Sequence, residues 1–234
     1  MTDFIVAITA ALSLIINFDD GLVEIVSLSL QVSLTAVGIA TVLALPAGAA
    51  VALYRFPGRT VLTVILNSLM GLPPVVVGLV VYLLLSRAGP LGVFGLLFSP
   101  SAMVIAQVLL VTPVIAALTR QVIEDLWLEY EEQLRSLGAG PTKALPTLIW
   151  DGRFSLLTAI LAGFGRASGE VGAVMIVGGN IDHVTRVMTT AIALEASKGQ
   201  LYLALGLGII LILLSIIINA SVYSLSWFAK RRYD

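Results

Sequence analysis

Apolar residues run through this chain in long blocks. Five of them, at about residues 27–53, 60–85, 101–119, 155–178 and 200–228, reach the ~20 apolar residues that a helix needs to cross a bilayer core. A sixth run, 4–16, is too short for that and reads as an interfacial helix. The pattern changes between 120 and 153. There the apolar positions thin to Ile123, Leu126, Tyr130, Leu134 and Leu137, at spacings of 3, 4, 4 and 3, a single stripe along a helix. Carboxylates back the stripe, and Gly138-Ala139-Gly140-Pro141 closes it, a strong helix stop. The pattern predicts an all-α polytopic membrane protein with five spanning helices, a short N-terminal interfacial helix, and a charged helix-turn-helix between the third and fourth spans.

Composition agrees. The 234 residues are 59% hydrophobic and 12% charged, where a soluble domain carries about 25% charge. Ten of the 13 basic and 14 acidic residues fall within 120–153. A net charge of -1 without basic runs argues against nucleic acid as a partner. The absence of cysteine removes disulfides, thiol catalysis and thiolate metal sites. Asp3 stands where a secretory signal would carry basic residues. No linker or low-complexity tract divides the chain, so residues 1–234 read as one domain. The halves show no repeat, which weighs against an inverted-repeat secondary transporter.

Lys and Arg counts orient the spans. Arg55, Arg59, Arg120, Arg135, Lys143, Arg153, Lys230, Arg231 and Arg232 fall on one side, against Arg87, Arg186 and Lys198 on the other. The imbalance predicts a cytoplasmic 120–153 loop and C-terminus, with the N-terminus outside.

Within the loop, Glu132-Gln133-Leu134-Arg135-Ser136-Leu137-Gly138 resembles the Glu-Ala-Ala loop of ABC-importer permeases. Gln133 and Leu134 replace the two alanines, and Pro146 arrives earlier than the family's later proline. Gly71-Leu72-Pro73-Pro74-Val75-Val76-Val77-Gly78, Gly163-Phe164-Gly165-Arg166-Ala167-Ser168-Gly169-Glu170-Val171-Gly172-Ala173-Val174 and Met188-Thr189-Thr190-Ala191-Ile192-Ala193-Leu194-Glu195 are similar to the tungstate branch of the molybdate/tungstate/sulfate permeases. The resemblance runs from about residue 20 to 228. It implies a type I ABC-importer permease fold in a prokaryotic inner membrane, working as a homodimer with two copies of a cytoplasmic ATPase and an extracytoplasmic oxyanion-binding protein. It further implies that Glu131, Glu132, Leu134, Arg135, Leu137, Gly138, Ala139 and Pro141 form the coupling contact with the ATPase. Leu134 and Leu137 would supply apolar knobs, the acidic face orientation, and Gly138 the tight turn.

Candidate pathway residues come from the apolar blocks. An ionisable group within a span costs at least ~2.5 kcal/mol on insertion scales, so it pairs, faces the bundle interior or lines a route. Arg166 and Glu170, four apart, would share one helical face. Two readings stand: they border the route of a dianion, or they form an ion pair that fixes packing. Ser168 lies between them. Pro73 and Pro74 would interrupt the second span near its middle and free backbone carbonyls. Gly178-Gly179-Asn180 closes the fourth span, with Asn180 a cap or a possible external contact. His183, the single histidine, has no second ligand at metal-site spacing and reads as a surface residue.

No Gly-x-x-x-x-Gly-Lys-Ser/Thr sequence occurs, so the chain itself is not expected to hydrolyse ATP. ATP and magnesium would act at the partner ATPase, and no cofactor or metal is expected on this chain. The leading expectation is an oxyanion importer permease, for tungstate or else molybdate or sulfate. An ion-coupled secondary transporter is disfavoured by the long loop and the single intramembrane carboxylate. An intramembrane hydrolase lacks the histidine or paired aspartates it needs within spans.

Overall fold

Long apolar blocks become long helices. In the computed structural model, which describes Thr9 and residues 20–231 with side chains as far as Ser224, α1 spans Asp20–Leu53 and α4 spans Pro100–Ser136. Neither Pro46 in α1 nor Pro113 in α4 ends its helix. The remaining helices are α2 (Arg59–Leu69), α3 (Pro74–Leu85), α5 (Pro141–Asp151), α6 (Arg153–Ser168), α7 (Gly172–Gly178), α8 (Met188–Ser197) and α9 (Leu201–Arg231). No strand occurs among the described residues. Apart from Thr9, the 4–16 run expected as an interfacial helix lies outside the described residues.

Two of the five expected spans are not continuous helices. The 60–85 block divides into α2 and α3, with residues 70–73 between them. Proline supplies no N–H to continue a helix and restricts the residue before it, so α2 stops and Pro74 becomes the first residue of α3. The 155–178 block divides likewise into α6 and α7 around residues 169–171. By length and apolarity α1, α4 and α9 are each able to cross a membrane. The count reaches up to five if α2 with α3, and α5 with α6 (bent by 74°), each act as one span.

The chain folds as two compact units, each gathered from separate stretches of sequence. No linker marks the division, because α1 changes unit between Ser33 and Leu34 and α4 between Ala106 and Gln107. In the first unit Leu22, Met188, Ala191, Leu207 and Ile210 form a core between α8, α9 and the start of α1. There α3 and α7 approach so closely that a Cβ at Gly78 would sit 2.7 Å from the Ala173 Cα. Small residues allow such contact between helices that lack a hydrophobic driving force toward each other.

The second unit holds the rest of α1, α2, α4 from Gln107, α5, and α6 to Ala167. Its core joins Ala49, Ala52 and Leu53 of α1 to Ile123 and Trp127 of α4, Ala144 and Leu148 of α5, and Leu156 of α6. A Cβ on Gly48 would lie 2.4 Å from the Ala116 carbonyl oxygen, so this glycine sets the approach of α1 to α4.

Candidate functional site

The charged stretch folds as a helical hairpin that needs no new helix to begin it. The apolar stripe runs on from α4, which continues unbroken to Ser136. Burial fades along the stripe: Ile123 is fully buried, Leu126, Tyr130 and Leu134 pack half-buried on the α4–α5 core, and Leu137 is 82% exposed. Leu134 is thus an internal packing residue, and Leu137 alone of the two expected knobs is free at the tip. Trp127, absent from the five-residue stripe, is its largest buried aromatic, and the Arg135 guanidinium lies 5.9 Å from its ring centroid.

The turn has the two hydrogen bonds of a Schellman ending. Ala139 N–H donates to the Leu134 carbonyl (2.8 Å) and Gly138 N–H to the Arg135 carbonyl (3.0 Å). Gly138 has φ 75°, the left-handed region where glycine carries no Cβ penalty. Pro141 then opens α5 at its first position, where a missing N–H costs nothing. Glu131 pairs with Arg135 at 2.7 Å, while Glu132, Gln133 and Ser136 face solvent. Asp151 and Glu129 raise the Tyr130 phenol above its ordinary value, Asp151 acting most. The hairpin therefore presents an acidic surface with one leucine at its apex.

At the first interruption the chain turns through residues 70–73 on bonds from Gly71 N–H to Ser68 and from Leu72 N–H to Leu69. Pro73 is exposed. The Leu72 carbonyl, ahead of the two prolines, accepts the Arg166 guanidinium Nη2 at 3.2 Å, while Arg166 Nε is buried without a partner among the described residues. The sequence placed Pro73 and Pro74 at a break and Arg166 in a membrane segment. It gave no signal that the two meet.

The second interruption follows Ser168, the last residue of α6. Because the helix ends there, Arg166 and Glu170 do not share a helical face, and that expectation is overturned. Glu170 is 5% exposed, and its Oε1 accepts the Ala173 N–H at 3.1 Å, capping the start of α7 as a side-chain oxygen caps a helix N-terminus. Its carbonyl accepts the Thr189 hydroxyl at 2.8 Å. In the second unit Gln107 Nε2 donates to the Ala167 carbonyl at 3.1 Å.

Beyond α7, Gly179 (φ 72°) ends the helix with its N–H on the Met175 carbonyl. Asn180 follows at φ 50°, its Oδ1 buried without a partner among the described residues. His183 is a surface residue, as its context suggested, but it has a partner that the sequence did not reveal. Its Nδ1 lies 2.7 Å from Glu24, and that contact raises its pKa above the ordinary value, with Asp182 adding to the effect.

A set of apolar helices, with two apolar blocks interrupted by turns and a charged hairpin continuing from one long apolar helix, defines a multi-pass membrane protein. Residues 40–227 match the family of binding-protein-dependent transport system inner membrane components, and the chain belongs to it. It is 43% identical over 216 residues to the tungstate uptake system permease protein TupB of Peptoclostridium acidaminophilum, covering 92% of this chain and 95% of the relative. It is 34% identical to the TupB protein of Campylobacter jejuni, covering 92% and 90%. To the sulfate transport system permease protein CysW of Synechocystis it is 31% identical, covering 86% and 74%.

Proposed function

We propose that this chain is the translocating subunit of an ATP-driven importer and that its cargo is tungstate. The similarity to two tungstate uptake permeases over 92% of the chain carries the cargo assignment. The hairpin carries the coupling assignment: α4 leads without a break from an apolar segment to an exposed acidic tip. The chain works as a homodimer with two copies of a cytoplasmic ATPase and an extracytoplasmic binding protein. ATP and magnesium act at the ATPase. The nine-to-three distribution of Lys and Arg supports a cytoplasmic hairpin and C-terminus, with the N-terminus outside.

The hairpin tip docks on the ATPase through Leu137, with Glu131, Glu132 and Arg135 orienting it. Gly138, Ala139 and Pro141 fix the turn, and Leu134 ties it to its own core. Closure of the ATPase dimer on ATP draws two hairpins together and opens the spans outward. The binding protein then releases its anion, and hydrolysis returns the route to the inside. Arg166 beside the Pro73-Pro74 break offers a cation to a passing dianion. Its partner there, the Leu72 carbonyl, is neutral and leaves it able to let the anion go, as a permeation site requires. Glu170 is the cap of α7 rather than a counter-charge. Asn180 stands near the external end of the route.

The sulfate relative motivates one alternative, a sulfate cargo. Uptake of labelled tungstate into proteoliposomes holding the permease, its ATPase and its binding protein separates the two. Tungstate import that sulfate in large excess leaves untouched is the expected result. Sulfate import at the same level would overturn the cargo assignment.

A further inference from the structure

The second unit contains both the hairpin and the first interruption, and one short helix runs between them. Helix α2 has no fully buried residue, and its polar contacts lie at its two ends. Arg59, the first residue of α2, donates from Nε to the Val51 carbonyl (2.8 Å) and from Nη2 to the Ala52 carbonyl (2.9 Å), both in the last turn of α1. The same Nη2 meets Glu124 of α4 at 2.7 Å, and the other Glu124 oxygen is held by Arg120 one turn earlier on α4. At the far end, the turn after α2 presents the Leu72 carbonyl to Arg166.

A cation in the first turn is the wrong charge for the dipole of α2, while it suits the C-terminus of α1. Gly58, at φ 90°, provides the left-handed turn that directs Arg59 back to those carbonyls. The residue therefore serves its neighbours at the expense of its own helix. Arg59 and Glu124 are each just over one-quarter exposed, a setting in which a charge pair bonded to backbone is screened less than at a free surface.

We infer that α2 is a connecting rod: the Arg59–Glu124 pair joins it to the hairpin-bearing helix α4, and the Leu72 carbonyl delivers its displacement to Arg166. Movement of the hairpin by the ATPase pulls on α4 at Glu124, one to two turns beyond which α4 becomes the hairpin arm. Arg59 carries the shift into α2 and the end of α1. The Leu72 carbonyl then moves relative to the guanidinium and changes whether Arg166 is engaged with backbone or free for an anion. Arg59 and Glu124 are positioning residues in this scheme. The inference rests on the coupling reading given above.

The test uses the whole reconstituted complex and the absence of cysteine in the native chain. Asn67→Cys places a single environment-sensitive label near the end of α2, and ATP with loaded binding protein should change its signal. Glu124→Gln removes the joint, and Val64→Pro breaks the rod at a residue that is 58% exposed, leaving both end contacts in place. Each variant is expected to retain co-purifying ATPase and basal ATP hydrolysis, to lose the label response, and to import at least tenfold more slowly. Arg59→Lys keeps the charge but not the fork to three acceptors, and partial import is expected. Native label response and import in both Glu124→Gln and Val64→Pro would overturn the rod while leaving the coupling reading intact. Failure of the native chain to retain the ATPase would overturn the coupling reading and the rod with it.

Discussion

The two interruptions look alike in sequence and differ in how their backbone is satisfied. Both break an apolar block with Gly and Pro or Gly alone. At residues 169–171 the groups released by the break are taken up by neutral or capping partners within a buried setting: Glu170 caps α7, and Thr189 holds the Glu170 carbonyl. At 70–73 the turn is exposed, and its last free carbonyl is held by a cation whose Nε lacks any partner among the described residues. A buried polar group left unmade costs ~1–3 kcal/mol, so the first arrangement is a lock and the second is a poised contact. Of two ionisable residues four apart in sequence, Glu170 caps the start of a helix and Arg166 holds a backbone carbonyl near a break 94 residues away.

Four measurements break or sharpen that contrast. Glu170→Ala strands the Ala173 N–H and removes a cap, and should lower stability by ~1–3 kcal/mol in mixed-micelle unfolding. Unchanged stability would erase the lock. Arg166→Gln should fold normally and slow import about tenfold, ~1.4 kcal/mol in the barrier. An unfolding midpoint that falls as far as that of Glu170→Ala would make the two interruptions equivalent. A third helix ending, at Gly138, belongs with the poised side because nothing lies within 4 Å of a Cβ there. Gly138→Asp should cost only ~1 kcal/mol in hairpin stability from its left-handed backbone, while co-purification of the ATPase falls sharply. Full co-purification with normal transport would remove the tip from the docking surface.

The smallest effect concerns His183 beside Glu24. Its pKa is raised in the folded chain, so the contact contributes fully below the ordinary value of about 6.5 and is lost as pH rises through the folded value. Hydrogen exchange in the first turns of α1 should therefore speed up, beyond its intrinsic pH dependence, as pH rises above that range in the native chain. His183→Gln should remove that additional change. An identical profile in both would show that the contact is incidental.

Periodicity and composition were enough to predict a helical membrane chain, its apolar blocks and the hairpin with its stop at Gly138, because each rests on local physics: apolar length, a 3.6-residue stripe and the freedom of glycine at positive φ. They predicted no helix at Met188–Ser197. The sequence also located the break at Pro73-Pro74, since missing N–H groups act on their immediate neighbours, but it read 155–178 as one helix and did not locate the break at 169–171. It did not say which side chains would heal them. Arg166 reaches Leu72 across 94 residues and Arg59 reaches Glu124 across 65, and no periodicity registers such pairs. Spacing also paired Arg166 with Glu170 on an assumed continuous helix, and Leu134 with Leu137 as equal knobs. Tertiary packing decided both otherwise: the helix ends at Ser168, and the core of α4 and α5 takes up Leu134 while leaving Leu137 outside. The reason is general to chains of this kind. A proline marks locally where a backbone group loses its partner, and only the folded neighbourhood determines what replaces it.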